Sequence, residues 1–274
     1  KKDDKNNFLR EVDAFRPNYV AGYLQDRFTF NDITFNVGIR VDRFDANQKV
    51  LADKYLLFRS YTAGDPQVTS RIPNAVIPDN IGSDYTVYVN NVQNPTAIVG
   101  FRNEDQWYDA QGTPITDLTP LLDNSTGGSG IQPFVVNYDD VQKGRIRTDV
   151  FKDYSPQVNV MPRIAFSFPI SAEAILREHY DLLTQRPQNS GLLRSNPVSY
   201  LFLARGVSGN IANPDLQPER TTEYEITFEQ RLSRSSALSI AAFYRELRNQ
   251  IQIINVQYAY PITYSTYGNI DFGT

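Results

Sequence analysis

The sequence predicts an all-β protein, namely part of an antiparallel up-and-down transmembrane β-barrel with about seven strands and long extracellular loops. Apolar and polar residues alternate in several stretches, as expected when successive side chains of a strand point to opposite faces. Short and long connections also alternate along the chain, which puts the short turns on one side and the long loops on the other. No run approaches the roughly 18 apolar residues of a membrane-spanning helix, which excludes a helical membrane protein but not the half-apolar strands of a barrel.

The first two predicted strands are residues 18–30 and 33–44, separated by a turn signal at Asn31 and Asp32. Alternation is blurred in the first strand and clean in the second. One face of the second strand carries Ile33, Phe35, Val37, Ile39 and Val41, whereas the other carries Thr34, Asn36, Gly38, Arg40 and Asp42.

Alternation returns at residues 161–170, and the following stretch, 171–186, fits two structures. Ser171 is a good helix cap and the residues after it are good helix formers. A strand is favoured over this helix because the stretch follows a strand and a short turn.

The longest alternation covers residues 222–232 and resumes at Leu238, after a turn at Ser233–Ser236. The apolar face carries Thr222, Tyr224, Ile226, Phe228, Gln230 and Leu232, and the charged face carries Glu223, Glu225, Thr227, Glu229 and Arg231. A soluble sheet has the same pattern, but the segregation of loop lengths favours a barrel with its apolar face toward lipid. A last strand is predicted to begin in residues 267–274.

The connections at residues 45–160, 187–218 and 248–266 are predicted to be extracellular loops of a single barrel domain that covers residues 1–274. The first is too long for an ordinary loop, so it is either an inserted subdomain or a large folded external loop. Its aromatic residues Trp107 and Tyr108 are candidate extracellular ligand contacts. The tyrosines at 258, 260, 264 and 267 fit the same ligand platform, and an interfacial girdle or loop packing is an equally good alternative for these four.

Composition narrows the function classes. A net charge of −4 over 274 residues does not suggest nucleic-acid binding. The absence of Cys excludes disulfides and thiolate metal sites. The 17 Tyr and 16 Phe suit the aromatic girdles of a barrel. The chain reads as part of a longer protein, so a missing signal peptide is uninformative.

Charged residues on the polar faces of the predicted strands form a candidate lumen-facing wall, and we expect them to pair with one another or with a plug. They are Arg40, Asp42, Arg163, Arg177, His179, Asp181, Glu223, Glu225, Glu229, Arg231 and Arg245. With a single His in the chain, a His-based metal cluster is not expected. No cofactor is expected either, although Asp139 and Asp140 would suit Ca²⁺ in a loop.

Residues 213–232, NPDLQPERTTEYEITFEQRL, closely resemble the C-terminal half of TonB-dependent outer-membrane transporters. Residues 19–47 and 161–187 resemble paired strands of the same family, and its Oar-like branch, with an N-terminal carboxypeptidase-regulatory-like domain, is the best match. The resemblance implies a barrel of about 22 strands around a plug domain, which is not visible in this chain.

The resemblance also implies partners: outer-membrane lipid, a plug domain of the same chain and a TonB-type energy-transducing complex. It leaves room for a surface lipoprotein or another outer-membrane partner. The implied function is transport of a large solute across a Gram-negative outer membrane, without chemistry on the solute. Two alternatives remain open: a secreted or cell-surface β-protein that binds glycan or protein, and a glycoside-active enzyme that uses the glutamates at 223, 225 and 229.

Overall fold

A computed structural model of the chain describes residue 12 and residues 14–125, 130–187, 191 and 196–271. The strands, numbered in chain order, are β1 (Asn18–Phe30), β2 (Ile33–Asp45), β3 (Lys49–Leu51), β4 (Thr86–Val89), β5 (Ile98–Asn103), β6 (Gln106–Asp109), β7 (Pro114–Ile115), β8 (Gln132–Pro133), β9 (Phe151–Asp153), β10 (Gln157–Pro169), β11 (Ala174–Gln185), β12 (Asn210–Ile211), β13 (Glu219–Arg231), β14 (Ala237–Arg248), β15 (Gln250–Val256) and β16 (Tyr264–Ile270). The helices are α1 (Pro66–Arg71), α2 (Thr119–Asp123), α3 (Tyr138–Gln142) and α4 (Pro197–Ala204), with a 3-10 turn at Thr148–Val150. Within the described ranges, no helix has the length and apolar character needed to cross a bilayer.

Six long strands form one continuous antiparallel sheet in the order β1-β2-β10-β11-β13-β14. Each has 12 or 13 residues, more than the roughly 9–11 that a tilted strand needs to cross a bilayer. The predicted all-β barrel architecture is confirmed by this sheet of long neighbouring strands, which we call the wall sheet.

One face of the wall sheet is mainly apolar and lies open, with Glu178 between Phe166 and Ile226 as an exposed charge within it. Its exposed members include Leu24, Val37, Ile39, Val160, Ile164, Ile226 and Ile240. Aromatic rings run across it in two ladders, from Phe28 through Phe35 to Phe166 and from Tyr180 through Tyr224 to Tyr244. An apolar face of this size is not stable against water, and it fits the lipid-facing band and aromatic girdles of a membrane barrel.

The ambiguous residues after Ser171 form a strand, β11, as favoured from the sequence. Ser171 does act as a cap, because its Oγ accepts the backbone N–H groups of Glu173 at 3.2 Å and Ala174 at 3.1 Å. The capped element is a tight turn rather than a helix, and it starts β11 in register with β10.

The wall sheet has six strands among the described residues, whereas about seven were expected. The expected last strand is present as β16, but it pairs antiparallel with β15 and parallel with β12. Asn249, with φ of +55°, is the single residue between β14 and β15 and turns the chain out of the wall sheet. Residues 272–274 lie outside the described part.

The long connection after β2 is a folded subdomain. Its five-stranded sheet has the order β7-β6-β5-β4-β8 and buries apolar side chains on both faces. One cluster includes Val68, Ile72, Val87, Phe101 and Phe134, and the other includes Tyr88, Val99, Trp107, Leu121 and Ile131. Residues 126–129 of this subdomain lie outside the described part.

A third apolar cluster joins this subdomain to the later connections. It packs Tyr200 and Leu203 of α4 against Val150, Phe151 and Tyr264. The three long connections therefore form one body beside the same end of the wall sheet, and we call it the loop body.

Candidate functional site

The polar face of the wall sheet places charged residues of neighbouring strands directly opposite one another. One row across five strands runs Gly38, Arg163, Asp181, Glu223 and Arg245, and the next runs Asn36, Ala165, His179, Glu225 and Phe243. The candidate wall residues named from the sequence thus share one face.

Two ion pairs join neighbouring residues of the first of these rows. Arg163 Nε lies 2.8 Å from Asp181 Oδ1, and Arg245 Nη2 lies 2.7 Å from Glu223 Oε1. In both pairs the carboxylate is much less exposed than the guanidinium, at 19% and 17% against 54% and 49%. Each acidic side chain is therefore both largely shielded from solvent and paired with an arginine.

Two of the three remaining arginines of the wall also form ion pairs. Arg177 lies 2.5 Å from Glu229 across the strands, and Arg40 lies 2.7 Å from Asp42 along one strand. Asp42 also accepts a 2.6 Å hydrogen bond from the Tyr19 hydroxyl. Arg231 instead donates to the Ala172 carbonyl oxygen at 3.2 Å, in the turn before β11.

The structure also assembles a group that sequence reasoning did not expect. Ligand-type atoms of His179, Glu223 and Glu225 all lie within 4.8 Å of one another, and all three residues are half-buried. A Glu-x-Glu pair on one strand was visible in the sequence, but the His joins it only through the register that sets His179 opposite Glu225.

One cavity lies among the long connections rather than on the wall. It has a volume of about 470 Å³. Its lining comes from the segment after β3, the end of β5, the loop residues Asn213–Asp215 and residues of β12, β15 and β16. Its size falls in the range typical of small-ligand sites.

Arg102 forms the floor of this cavity and is only 2% exposed. It is ion-paired with Asp53, and its Nε donates to the Tyr88 hydroxyl at 2.8 Å. The guanidinium lies 4.5 Å from the ring centre of Tyr55 and 5.5 Å from that of Trp107. Burial alone would lower the pKa of Arg102, but Tyr88 and Asp53 outweigh it and hold the pKa above its ordinary value.

The rim of the cavity is acidic. Asp105 is held ionised by Lys54 and Tyr55, whose hydrogen bonds outweigh burial and lower its pKa. Burial raises the pKa of Asp215, against the charge of Lys152. The other two rim acids, Asp84 and Glu104, have no ion-pair partner among the residues that the structure describes.

The predicted ligand contacts of the first loop are less accessible than expected. Trp107 is only 6% exposed, because its indole packs against Tyr55, Tyr88 and Tyr258. Tyr108 is half-buried, and its ring lies 5.3 Å from that of Tyr85. These side chains stabilise the subdomain that carries the cavity.

The other loop tyrosines belong to loop packing rather than to a girdle. Tyr264 is 3% exposed and Tyr260 packs on Phe58 within the third cluster. Burial raises the pKa of Tyr260 to about 12.

The acidic pair considered for Ca²⁺ is already neutralised by arginine. Asp140 accepts two hydrogen bonds from Arg147, at 2.6 and 2.8 Å, and Asp139 pairs with Arg145 and Lys143. The carboxylate oxygens of this acidic pair are thus engaged by three cationic side chains.

Comparison with known proteins places the chain in a family. A family model described as "TonB dependent receptor-like, beta-barrel" matches residues 3–274. No curated protein matches the chain.

Two solved structures are similar at low identity. The hemophore receptor HasR of Serratia marcescens, in complex with its hemophore HasA and heme, is 15% identical with a TM-score of 0.44, and the match covers 92% of this chain and 29% of HasR. The ferric-catecholate import receptor Fiu of E. coli K12 is 14% identical with a TM-score of 0.39, and the match covers 92% of this chain and 23% of Fiu. The chain thus spans less than a third of either receptor.

The family model covers nearly the whole chain, and the six long antiparallel strands of the wall sheet agree with the β-barrel that its description names. Members of this family are outer-membrane transporters and not enzymes. The chain therefore belongs to the TonB-dependent receptor-like β-barrel family.

Proposed function

We propose that this chain is the barrel wall and extracellular part of a receptor that moves a large solute across the outer membrane with energy from a TonB-type inner-membrane complex. The observation that carries the proposal is the two-faced wall sheet within a chain matched to this family from residue 3 to residue 274. The resemblance of residues 19–47, 161–187 and 213–232, taken together, supports membership in the Oar-like branch.

The polar face of the wall sheet is the lumen side in this proposal. Its ion pairs support that role, because arginine and carboxylate groups that neutralise one another suit a wet interior and are costly against lipid. A plug domain of the full receptor would lie against this face. Outer-membrane lipid would cover the opposite face.

The loop body is the extracellular capture device in this proposal, with the 470 Å³ cavity as the first contact for the solute. The unpaired rim acids Asp84 and Glu104 favour a solute that presents cationic or hydroxyl groups there. Trp107 and Tyr108 contribute by holding the sheet beneath the cavity, and a surface lipoprotein or other outer-membrane partner would approach the same body from outside.

Orientation is tested by cysteine labelling, since the chain has no Cys of its own. Glu104→Cys in the loop body and Ser235→Cys in the turn after β13 are introduced separately into the full-length receptor. We expect a membrane-impermeant maleimide to label the loop variant on intact cells and the turn variant only after the outer membrane is opened. The receptor without either substitution is the control, and surface labelling of Ser235→Cys would contradict the orientation.

Transport is tested by comparing solutes removed from the growth medium by three strains: one with the receptor, one without it and one with the receptor but no TonB-type complex. The proposal expects at least one solute to be taken up only by the first strain. Two outcomes would favour the alternative of a surface or secreted binding protein. One is a receptor that does not co-fractionate with the outer membrane, and the other is solute uptake that does not depend on the TonB-type complex.

A further inference from the structure

We infer that His179, Glu223 and Glu225 form a binding site for one divalent transition-metal ion, of the Zn²⁺ class, on the polar face of the wall sheet. The site goes beyond the proposed function, because it does not depend on which solute the receptor carries.

The geometry of the two strands creates the site. Glu223 and Glu225 are two residues apart on β13, so their side chains leave the same face about 7 Å apart at the backbone. His179 lies on β11 directly opposite Glu225. The three side chains converge until their ligand-type atoms lie within 4.8 Å of one another. Three ligands around a Zn²⁺ at about 2.0–2.2 Å lie at most about 4 Å apart, so small side-chain rotations suffice.

The charges around the triad favour an added cation. Three carboxylates, those of Asp181, Glu223 and Glu225, meet two guanidinium groups, those of Arg163 and Arg245. Arg163 pairs with Asp181, and Arg245 pairs with Glu223. Glu225 accepts its one hydrogen bond among the described residues from the Thr227 hydroxyl, at 2.9 Å. The carboxylate opposite His179 therefore has the weakest compensation of the three.

The chemistry of the ligands selects the kind of ion. An imidazole with two carboxylates suits Zn²⁺ and related ions, whereas Ca²⁺ and Mg²⁺ prefer oxygen ligands alone. A ring nitrogen of His179 lies within 4.8 Å of a carboxylate oxygen of Glu223 and of Glu225, so the imidazole faces both of the other ligands. All three ligands come from one side, so a bound ion keeps open positions toward the lumen.

The test is Zn²⁺ binding by the full-length receptor in detergent, after chelator treatment, measured by equilibrium dialysis and by the visible absorption of Co²⁺ as a substitute. We expect His179→Asn and Glu225→Gln to lose one equivalent of bound Zn²⁺ relative to the wild type. The affinity of both variants for Zn²⁺ at this site should fall by more than about tenfold, because mutating even the groups that hydrogen-bond to metal ligands lowers metal affinity by about 10–100-fold. Mg²⁺ and Ca²⁺ should not compete at similar concentrations.

Glu229→Gln is the matched control. Glu229 lies on the same strand and the same face, but it is paired with Arg177 and lies outside the triad. The control should keep the full Zn²⁺ equivalent. Equal stoichiometry in the wild type and in both ligand variants, or an equal loss in the Glu229→Gln receptor, would overturn the site. Heat-modifiable migration of each variant verifies that its barrel is folded.

Discussion

Arg102 and Asp53 form a buried ion pair that joins the loop sheet to the segment leaving the wall sheet, although 49 positions separate them in the chain. The arginine is almost fully enclosed by aromatic rings, whereas the Asp53 side chain keeps 28% of its exposure. Removing one partner of such a pair leaves the other without compensation, and this costs far more than losing a surface pair.

The first prediction follows from this pair. We expect Arg102→Ala to destabilise the loop body by about 3 kcal/mol, near the lower end of the range for buried pairs because Asp53 is partly hydrated. Hydrogen exchange of residues 98–109 in the full-length receptor measures the effect. Lys54→Ala is the control, since its exposed pair with Asp105 should contribute less than about 1 kcal/mol. A control that loses as much protection would contradict the special role of Arg102.

The second prediction concerns pH and the pair between Asp140 and Arg147. The hydrogen bonds from Arg147 hold the pKa of Asp140 below its ordinary value. The pKa of Asp140 is lower in the folded than in the unfolded state. The stabilisation is therefore fully present above the unfolded pKa, which lies near 4, and is lost as the pH falls from there through the lower folded pKa. We expect Asp140→Asn to lower the urea midpoint of the loop body at pH 7, as followed by the fluorescence of Trp107.

The difference between this variant and the wild type should shrink steadily from about pH 5 downward. Asp139→Asn provides the comparison, because Asp139 is more exposed than Asp140, with 45% of its side chain accessible against 8%. A difference that is independent of pH would show that the carboxylate charge is not what stabilises this corner.

The third prediction tests the packing of β5 against β6. A Cβ on Gly100 would clash with the carbonyl oxygen of Tyr108 and would lie 3.0 Å from a methyl of Leu121. Since the first contact is with backbone, Gly100→Ala should push the strands apart and cost about 1–3 kcal/mol of loop stability. Gly22→Ala, where a Cβ meets nothing within 4 Å, should leave stability unchanged within error. Proteolysis of the loops under native conditions compares the two.

The fourth prediction separates the two faces of the wall sheet with two identical residues. Ala241 lies opposite Thr227 on the polar face, and Ala242 lies opposite Ile226 on the apolar face. We expect Ala242→Arg to cost about 2–4 kcal/mol near the bilayer centre and to reduce the folded yield in the outer membrane. Ala241→Arg should be tolerated, and the reverse order would exchange the proposed lipid and lumen faces.

The strands of the wall sheet were predictable because a period of two survives in the sequence wherever one face must be apolar. The alternation at residues 33–44 and 222–232 marks such strands. Ser171 was also recognised as a cap, and it caps the turn that precedes β11. The loop body was not predictable in the same way, because its strands are short and buried on both faces, so they show no alternation. Trp107 therefore looked like a surface aromatic although it is a core residue.

The candidate sites needed information that no local pattern contains. Arg102 and Asp53 meet only after β5 has packed against the segment after β3. His179 and Glu225 meet only through strand register, which depends on the capped turn after β10 and on the pairing of β11 with β13. Once that register is known, the sequence identifies the triad without further help.

Asn249 has a mechanical consequence for the receptor. It is the only residue between β14 of the wall sheet and β15 of the loop body, and its backbone N–H is fixed to Asp271 at 2.6 Å. The hairpin of β15 and β16 is also tied to its neighbours, because Glu219 Oε1 accepts the backbone N–H of Ile251 and β16 pairs with β12. In the proposed receptor we therefore expect this hairpin to move together with the end of β14 rather than as a separate lid.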